Sequence, residues 1–350
     1  MGKALEAVMR THWACTPECL ETVIAVASRA FEKPEAVLQQ RGDSLDSASW
    51  RVQMRDGVAV IPVRGVIFRH ANLMTEYCGG TSVERLATDF GAAITSDDVR
   101  AVVLDIDSPG GEITGIHELA GQIRATSAHK PVVAYVGGMA ASAAYWLASA
   151  AREVIADRTA ILGGIGVVAA WADDSKAREA QGIRRYEIVS SQSPKKRLDP
   201  AGDAGRAEIQ AMLDGLADIF IADVACHRKT TPGTVAENYG RGGVLLAEQA
   251  IAVGMADRIG SLEGLIKEFG PGGAPPRAQN GGSTTQTTGM KAETQPTQVM
   301  ALRAMIAAEQ EKTHKILVAR LGFDFPQEDD RAMAAAFQIA QYANQGRRKR

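Results

Sequence analysis

The sequence predicts an α/β protein built on a mainly parallel sheet. Short runs of apolar and β-branched residues (VAVIPV from Val58, AVVLDI from Ala101, VVAYV from Val132) alternate with stretches of helical periodicity. Such alternation requires crossover connections, which parallel strands need and antiparallel hairpins do not. The second and third runs also end in glycine pairs, Gly110–Gly111 and Gly137–Gly138, where chains of this class turn and build sites.

Taken in order, residues 1–50 read as helical, with Leu20, Val23, Ile24, Ala27 and Phe31 at helical spacing and a polar break from Gly42 to Ser49. The run from Val58 is broken by Pro62 and Gly65 and predicts an edge strand leading into a second short one. Residues 82–94 form an amphipathic helix with Ser82 as N-cap. A buried strand over 101–106 leads into DSPGG, then a helix over 114–127 and a strand over 132–136. Gly137 and Gly138 predict a sharp turn into an alanine-rich helix over 140–151 that carries Ser142 near its N-terminus. Strands over 153–156 and 161–168, a helix over 171–181 and a strand over 184–189 follow.

A polar loop with Lys195 and Lys196 precedes a long amphipathic helix over 203–229, whose apolar side is Ile209, Met212, Leu213, Leu216, Ile219 and Phe220. Segments 245–253 and 262–269 close a domain spanning 51–269. Residues 270–298 have almost no apolar side chains to bury and read as a flexible linker. Two helix-like segments within 299–350 end in the basic run Arg347–Arg350.

Bulk properties exclude several classes. A formal net charge of −2 over 350 residues carries no bias towards nucleic acid or an acidic surface. No apolar stretch approaches the roughly 18 residues that a membrane anchor needs, and no signal sequence is evident. Four cysteines in a chain of this length read as reduced thiols and a cytoplasmic protein. His12, Cys15 and Cys19 share a helical face, but three ligands without a second pair do not make a zinc motif.

The chemistry centres on Ser142. At a helix N-terminus, free N–H groups and the helix dipole favour developing negative charge, and strand–turn–serine–helix is a common presentation of a nucleophile. The bland alternative is a serine that caps or packs in a small-residue helix. A nucleophile needs a base and oxyanion donors. The backbone N–H groups of Gly110, Gly111 and Ala143 are the candidate donors, because paired glycines let the backbone face a cleft. None of the six histidines sits in a catalytic motif, and His117, just after the glycine pair, is placed on a helix. A lysine crowded by other cations is the alternative base, and the loop offers Lys195 and Lys196 beside Arg197.

DSPGG at 107–111, MAAS at 139–142 with Tyr145, GGIGV at 163–167 and the lysine loop, in this order, resemble the signal peptide peptidase A family of serine proteases. Within it, the chain is most similar to the phage branch of lambda-type capsid-assembly proteases. The resemblance covers about Val58 to Phe269. It implies a Clp/crotonase-like fold, a Ser/Lys dyad without cofactor or metal, polypeptide substrates and homo-oligomeric assembly.

Carried over by residue, Ser142 is the nucleophile and Lys195, five residues before Pro200, the general base, with Lys196 as fallback. Gly110 and Gly111 match the oxyanion-loop glycines. The chain departs from the family at Ala143 and Ala144, where glycines are common, at Gly164, where a serine is frequent, and at Gln192, which replaces a glycine. The resemblance implies processing of scaffolding, portal or coat proteins during prohead maturation, in host cytoplasm or inside the procapsid. Met290, inside the linker, is a candidate start for a separate scaffold product. The alternatives are a host cytoplasmic peptidase, a crotonase-type enzyme that does not need Ser142, and an assembly protein whose protease domain is structural.

Overall fold

The computed structural model describes residues 3–9, 11–29, 52–71, 75, 79–127, 129–171, 173, 175–184 and 186–273. The polar break at 42–49, Phe31, Cys78, the linker beyond residue 273, Met290, the C-terminal helical segments and the Arg347–Arg350 tail lie outside the described residues.

The main sheet has eight strands. β3 (Val58–Arg64), β6 (Ala101–Ser108) and β8 (Val132–Ala141) run parallel side by side. β8 continues the sheet with β9 (Glu153–Ala156) along its first half and β10 (Ile161–Gly163) along its second, both parallel. β2 (Gln53–Arg55) and β11 (Val244–Leu246) close the two edges antiparallel, and β12 (Arg258–Ile259) lies parallel to β9. β3, β6 and β8 are buried over most of their length, as strands covered on both faces must be. This is the α/β class with a mainly parallel sheet and flanking helices that the sequence predicts.

A second, four-stranded sheet has the order β1 (Trp13–Cys15), β7 (Gly110–Glu112), β4 (Ile67–Phe68), β5 (Thr81–Ser82). β7 starts two residues after β6 ends, so the SPGG segment carries the chain from one sheet into the other. Gly111 is needed at that junction: a Cβ on it would lie 1.9 Å from the Ile67 carbonyl oxygen.

Several expectations are corrected. β3 runs through Pro62 and is no edge strand: β2 covers only Val58–Val60, so one side of β3 is open at Pro62, where a missing N–H costs nothing. The expected turn at Gly137–Gly138 does not form. β8 passes through both glycines to Ala141, with a register shift against β6 that pairs Ile106 with Val136 and Ser108 with Ala140. The bulge exists because Asp107 folds over it; its Oδ1 accepts from Met139 N at 3.0 Å and would lie 2.5 Å from a Cβ on Gly138. The turn is made by Ser142 itself, and the helix starts one residue later, at Ala143–Ala150.

The helix expected over 171–181 shortens to Ser175–Ala180, the strand expected over 161–168 ends at Gly163, and no strand forms among the described residues of 184–189. The long helix is Asp203–His227, but of its expected apolar side only Phe220 is fully buried; Met212 and Ile219 are about half exposed. Its first half extends past the core, so amphipathic spacing there has nothing to pack against. The N-terminal piece is not continuous helix either. Helices Lys3–Met9 and Pro17–Arg29 flank β1, and Leu20, Val23 and Ala27 pack with Val8, Trp13, Val66 and Phe68.

Candidate active site

Ser142 closes β8 and opens the Ala143–Ala150 helix with φ 54° and ψ −119°. A positive φ is rare for a residue with a Cβ and costs about 1–3 kcal/mol, so the surrounding packing must impose it. The helix that follows is buried on every side. On the other side, Ser142 N–H donates to the Gly163 carbonyl at 2.6 Å. The side chain makes no capping hydrogen bond, which removes the bland reading of this serine as an N-cap. Its Oγ lies 3.4 Å from the Gly166 carbonyl oxygen, a long contact that leaves the hydroxyl weakly held.

Gly110 stands against this corner with φ 95°. A Cβ on it would lie 3.1 Å from Ala143 N, 2.9 Å from Ala141 O and 2.2 Å from Ala14 O. Its N–H donates to Ser108 Oγ at 3.2 Å, and that hydroxyl donates to the Gly65 carbonyl at 2.6 Å. The backbone donor of Gly110 is therefore engaged, and its part in the site is the missing Cβ, which lets a carbonyl approach Ala143 N–H. Gly111, the next residue along β7, pairs with Ala14 of β1. Ser108 gives no motif signal beyond SPGG itself, yet its buried hydroxyl holds the loop.

Asp105 and Asp107 prop the same strand end. Arg64 bridges both, in a hydrogen-bonded ion pair with Asp105 and at 3.7 Å from Asp107. Burial pushes the Asp105 carboxyl up, against the pull of Arg64. Gly164 adopts φ 65°, and a Cβ on it would lie 3.2 Å from Ser142 N.

The candidate bases lie in the loop before the long helix. Lys195 sits in a single 3₁₀ turn, Pro194–Arg197, and donates to Glu208 at 2.7 Å. Arg197 pairs with Glu187, and Lys196 is exposed. Carboxylates, rather than cationic crowding, surround this loop. The structure thus brings Gly110 against the Ser142–Ala143 corner, with Gly111 next along β7, and engages Lys195 with Glu208. His117 Nδ1 lies 2.7 Å from Asp223, whose same oxygen accepts from Trp146 Nε1 at 3.0 Å. Among the described residues no group of three or more His, Cys, Asp or Glu is placed to hold a metal. Cys15 and Cys19 are buried free thiols; the hydrogen bond to Cys19 and burial push the Cys15 thiol up.

This geometry meets a matching family. Residues 124–270 match the model of peptidase family S49. The chain carries a peptidase family S49 domain. The S49 match contains Ser142, Ala143 and both lysines, while Gly110 and Gly111 precede it. The chain is 29% identical over 210 residues to capsid assembly protease C of Escherichia phage lambda, covering 59% of this chain and 47% of that protein. It is 28% identical over 212 residues to protease 4 of Salmonella typhi, covering 57% and 33%. To the head-tail preconnector protein GP5 of Enterobacteria phage P21 it is 27% identical over 206 residues, covering 58% and 41%. The matched stretch spans between a third and a half of these relatives. No helix among the described residues is long and apolar enough to cross a membrane.

Proposed function

We propose that this protein is a serine endopeptidase in which Ser142 attacks a peptide carbonyl. The observation that carries this reading is the strained φ of Ser142 at a strand–helix corner, its hydroxyl uncommitted to capping, beside a glycine that admits a carbonyl to Ala143 N–H. The N–H groups of Ala143 and Gly111 hold the oxyanion. A lysine of the 194–197 turn, Lys195 first and Lys196 second, takes the Ser142 proton and gives it to the leaving amine; water then hydrolyses the acyl-enzyme. For Lys195 this requires the turn to leave Glu208 and swing to Ser142.

The substrates we propose are scaffolding, portal or coat polypeptides of an assembling capsid, in host cytoplasm or inside the procapsid. The likeness to capsid assembly protease C of phage lambda and to the head-tail preconnector protein GP5 of phage P21 supports this. Homo-oligomeric assembly fits the exposure of Ile183, Tyr186, Ile188, Met212 and Ile219 around the lysine loop and the long helix. Co-expression with the neighbouring capsid genes, followed by intact mass measurement, tests the reading. Fragments formed by the wild type and lost with Ser142→Ala support it.

The engagement of Lys195 with Glu208 favours a second reading, an assembly protein whose protease domain is structural. Under it, Ser142→Ala leaves both processing and assembly unchanged.

A further inference from the structure

The chain's own N-terminal segment lies along β7, the strand that carries Gly110 and Gly111. β1 pairs antiparallel with β7 in the register Trp13–Glu112, Ala14–Gly111, Cys15–Gly110. The pairing extends at both ends: Ile113 N–H donates to His12 O at 3.3 Å, and Thr16 N–H to Pro109 O at 3.1 Å. On its other edge Trp13 exchanges two hydrogen bonds with Val168, each 2.8 Å, just beyond GGIGV. An extended segment hydrogen-bonded along both edges is how a peptide adds to a sheet.

Side chains alternate across this segment. Ala14 is fully buried within the main core, while Trp13 and Cys15 pack on the opposite side with Leu20, Val23, Val66 and Phe68. Trp13 fastens the segment: its indole donates to Val8 O at 3.0 Å and meets Phe68 edge-on at 6.1 Å. The Ala14 carbonyl oxygen and Ala143 N both lie close to where a Cβ on Gly110 would stand, at 2.2 and 3.1 Å. The carbonyl of Ala14 therefore stands on the Gly110 side of the Ser142–Ala143 corner, in the residue paired with Gly111.

We propose that His12–Thr16 is a substrate bound in cis and that the bond it presents to Ser142 is Ala14–Cys15. This rests on the endopeptidase reading above and deepens it: the groove takes an extended chain with a small residue before the cut bond. Ser142 Oγ bonds to the Ala14 carbonyl carbon while its proton passes to the lysine base. The bond to Cys15 N breaks, that nitrogen takes the proton, and water hydrolyses the Ala14 ester to a carboxylate and free Ser142. Until residues 1–14 depart, the groove is closed to other polypeptides.

The test is intact mass of the purified full-length chain over time, beside Ser142→Ala, Ala14→Arg and Trp13→Ala, with thermal unfolding of each to report folding. A wild-type product beginning at Cys15, absent from Ser142→Ala, is the expected result. Ala14→Arg cannot seat its side chain in a fully buried position and stays uncut. Trp13→Ala, which loosens the segment without touching Ser142, is cut more slowly and keeps the proposal testable where Ala14→Arg does not fold. A synthetic peptide copying residues 8–18 is added in parallel. A wild type that cuts this peptide but keeps its own Ala14–Cys15 bond overturns the cis proposal and leaves the endopeptidase reading standing. A wild type that cuts neither overturns both, and a cut that persists in Ser142→Ala overturns the cis proposal.

Discussion

The Lys195 ammonium donates to the Glu208 carboxylate at 2.7 Å, with 72% and 45% of the two side chains exposed. An exposed pair of this kind contributes about 0–1 kcal/mol. It is therefore a weak tether, easily exchanged for another contact when the turn moves.

The first prediction follows from that magnitude. Glu208→Gln frees Lys195 and raises the peptide-cleavage rate, by at most about fivefold, because the lost pair is worth no more than about 1 kcal/mol. Lys195→Ala abolishes cleavage and Lys196→Ala keeps it. The reverse pattern in initial rates moves the base to Lys196.

Gly110→Ala tests the opening beside Ala143 N–H. The added Cβ has no room for any carbonyl there, at the φ of 95° that already disfavours a side chain. We expect a loss in kcat/KM of about a hundredfold or more, the scale of one lost oxyanion donor. Thermal unfolding separates this from the ~1–2 kcal/mol cost of backbone strain.

His117→Ala leaves cleavage within about twofold, the small effect expected for a surface change away from the reacting atoms. The ring belongs to Asp223, which also holds Trp146, while the Ser142 hydroxyl faces the Gly166 carbonyl. A drop of several hundredfold would make His117 the base and retire the lysines.

His227 makes stability pH-dependent. Burial, the largest cause, lowers its pKa from 6.5 to about 4, against the opposing charge of Asp223. Its Nδ1 lies 3.0 Å from Ser149 Oγ within the core. Because the folded value is depressed, the unfolded chain binds the proton first, so stability is full above pH 6.5 and falls between 6.5 and 4. The whole loss amounts to about 3 kcal/mol. In unfolding titrations at pH 7 and 5, wild type should lose more stability than His227→Asn; equal losses would dismiss the assignment.

Much of the site was legible because short-range chemistry writes it. Glycines at strand ends, a serine among alanines and the order of DSPGG, MAAS and GGIGV need no neighbour to be read. Ser82 behaves likewise: its side chain accepts from Arg85 N as an N-cap should. A signal for the N-terminal break was also present, since Thr16–Pro17 is a helix start and Thr16 Oγ1 accepts from Cys19 N at 3.3 Å. Three residues of β1, however, are too few to show a strand period, and their pairing partners lie about a hundred residues away.

From the amino-acid sequence alone came the α/β class, the parallel strands and the candidacy of Ser142 and its glycines, because each depends on local pattern or backbone freedom. Tertiary structure alone decided that β8 runs through its glycines, that the turn falls on Ser142, that Gly110 has no room for a Cβ, that Lys195 rests on Glu208, and that Ala14 pairs with Gly111. Those are outcomes of register and long-range packing, where Asp107 must cover Gly138 and a distant strand must find β7. No local spacing encodes which buried edge a chain segment will reach.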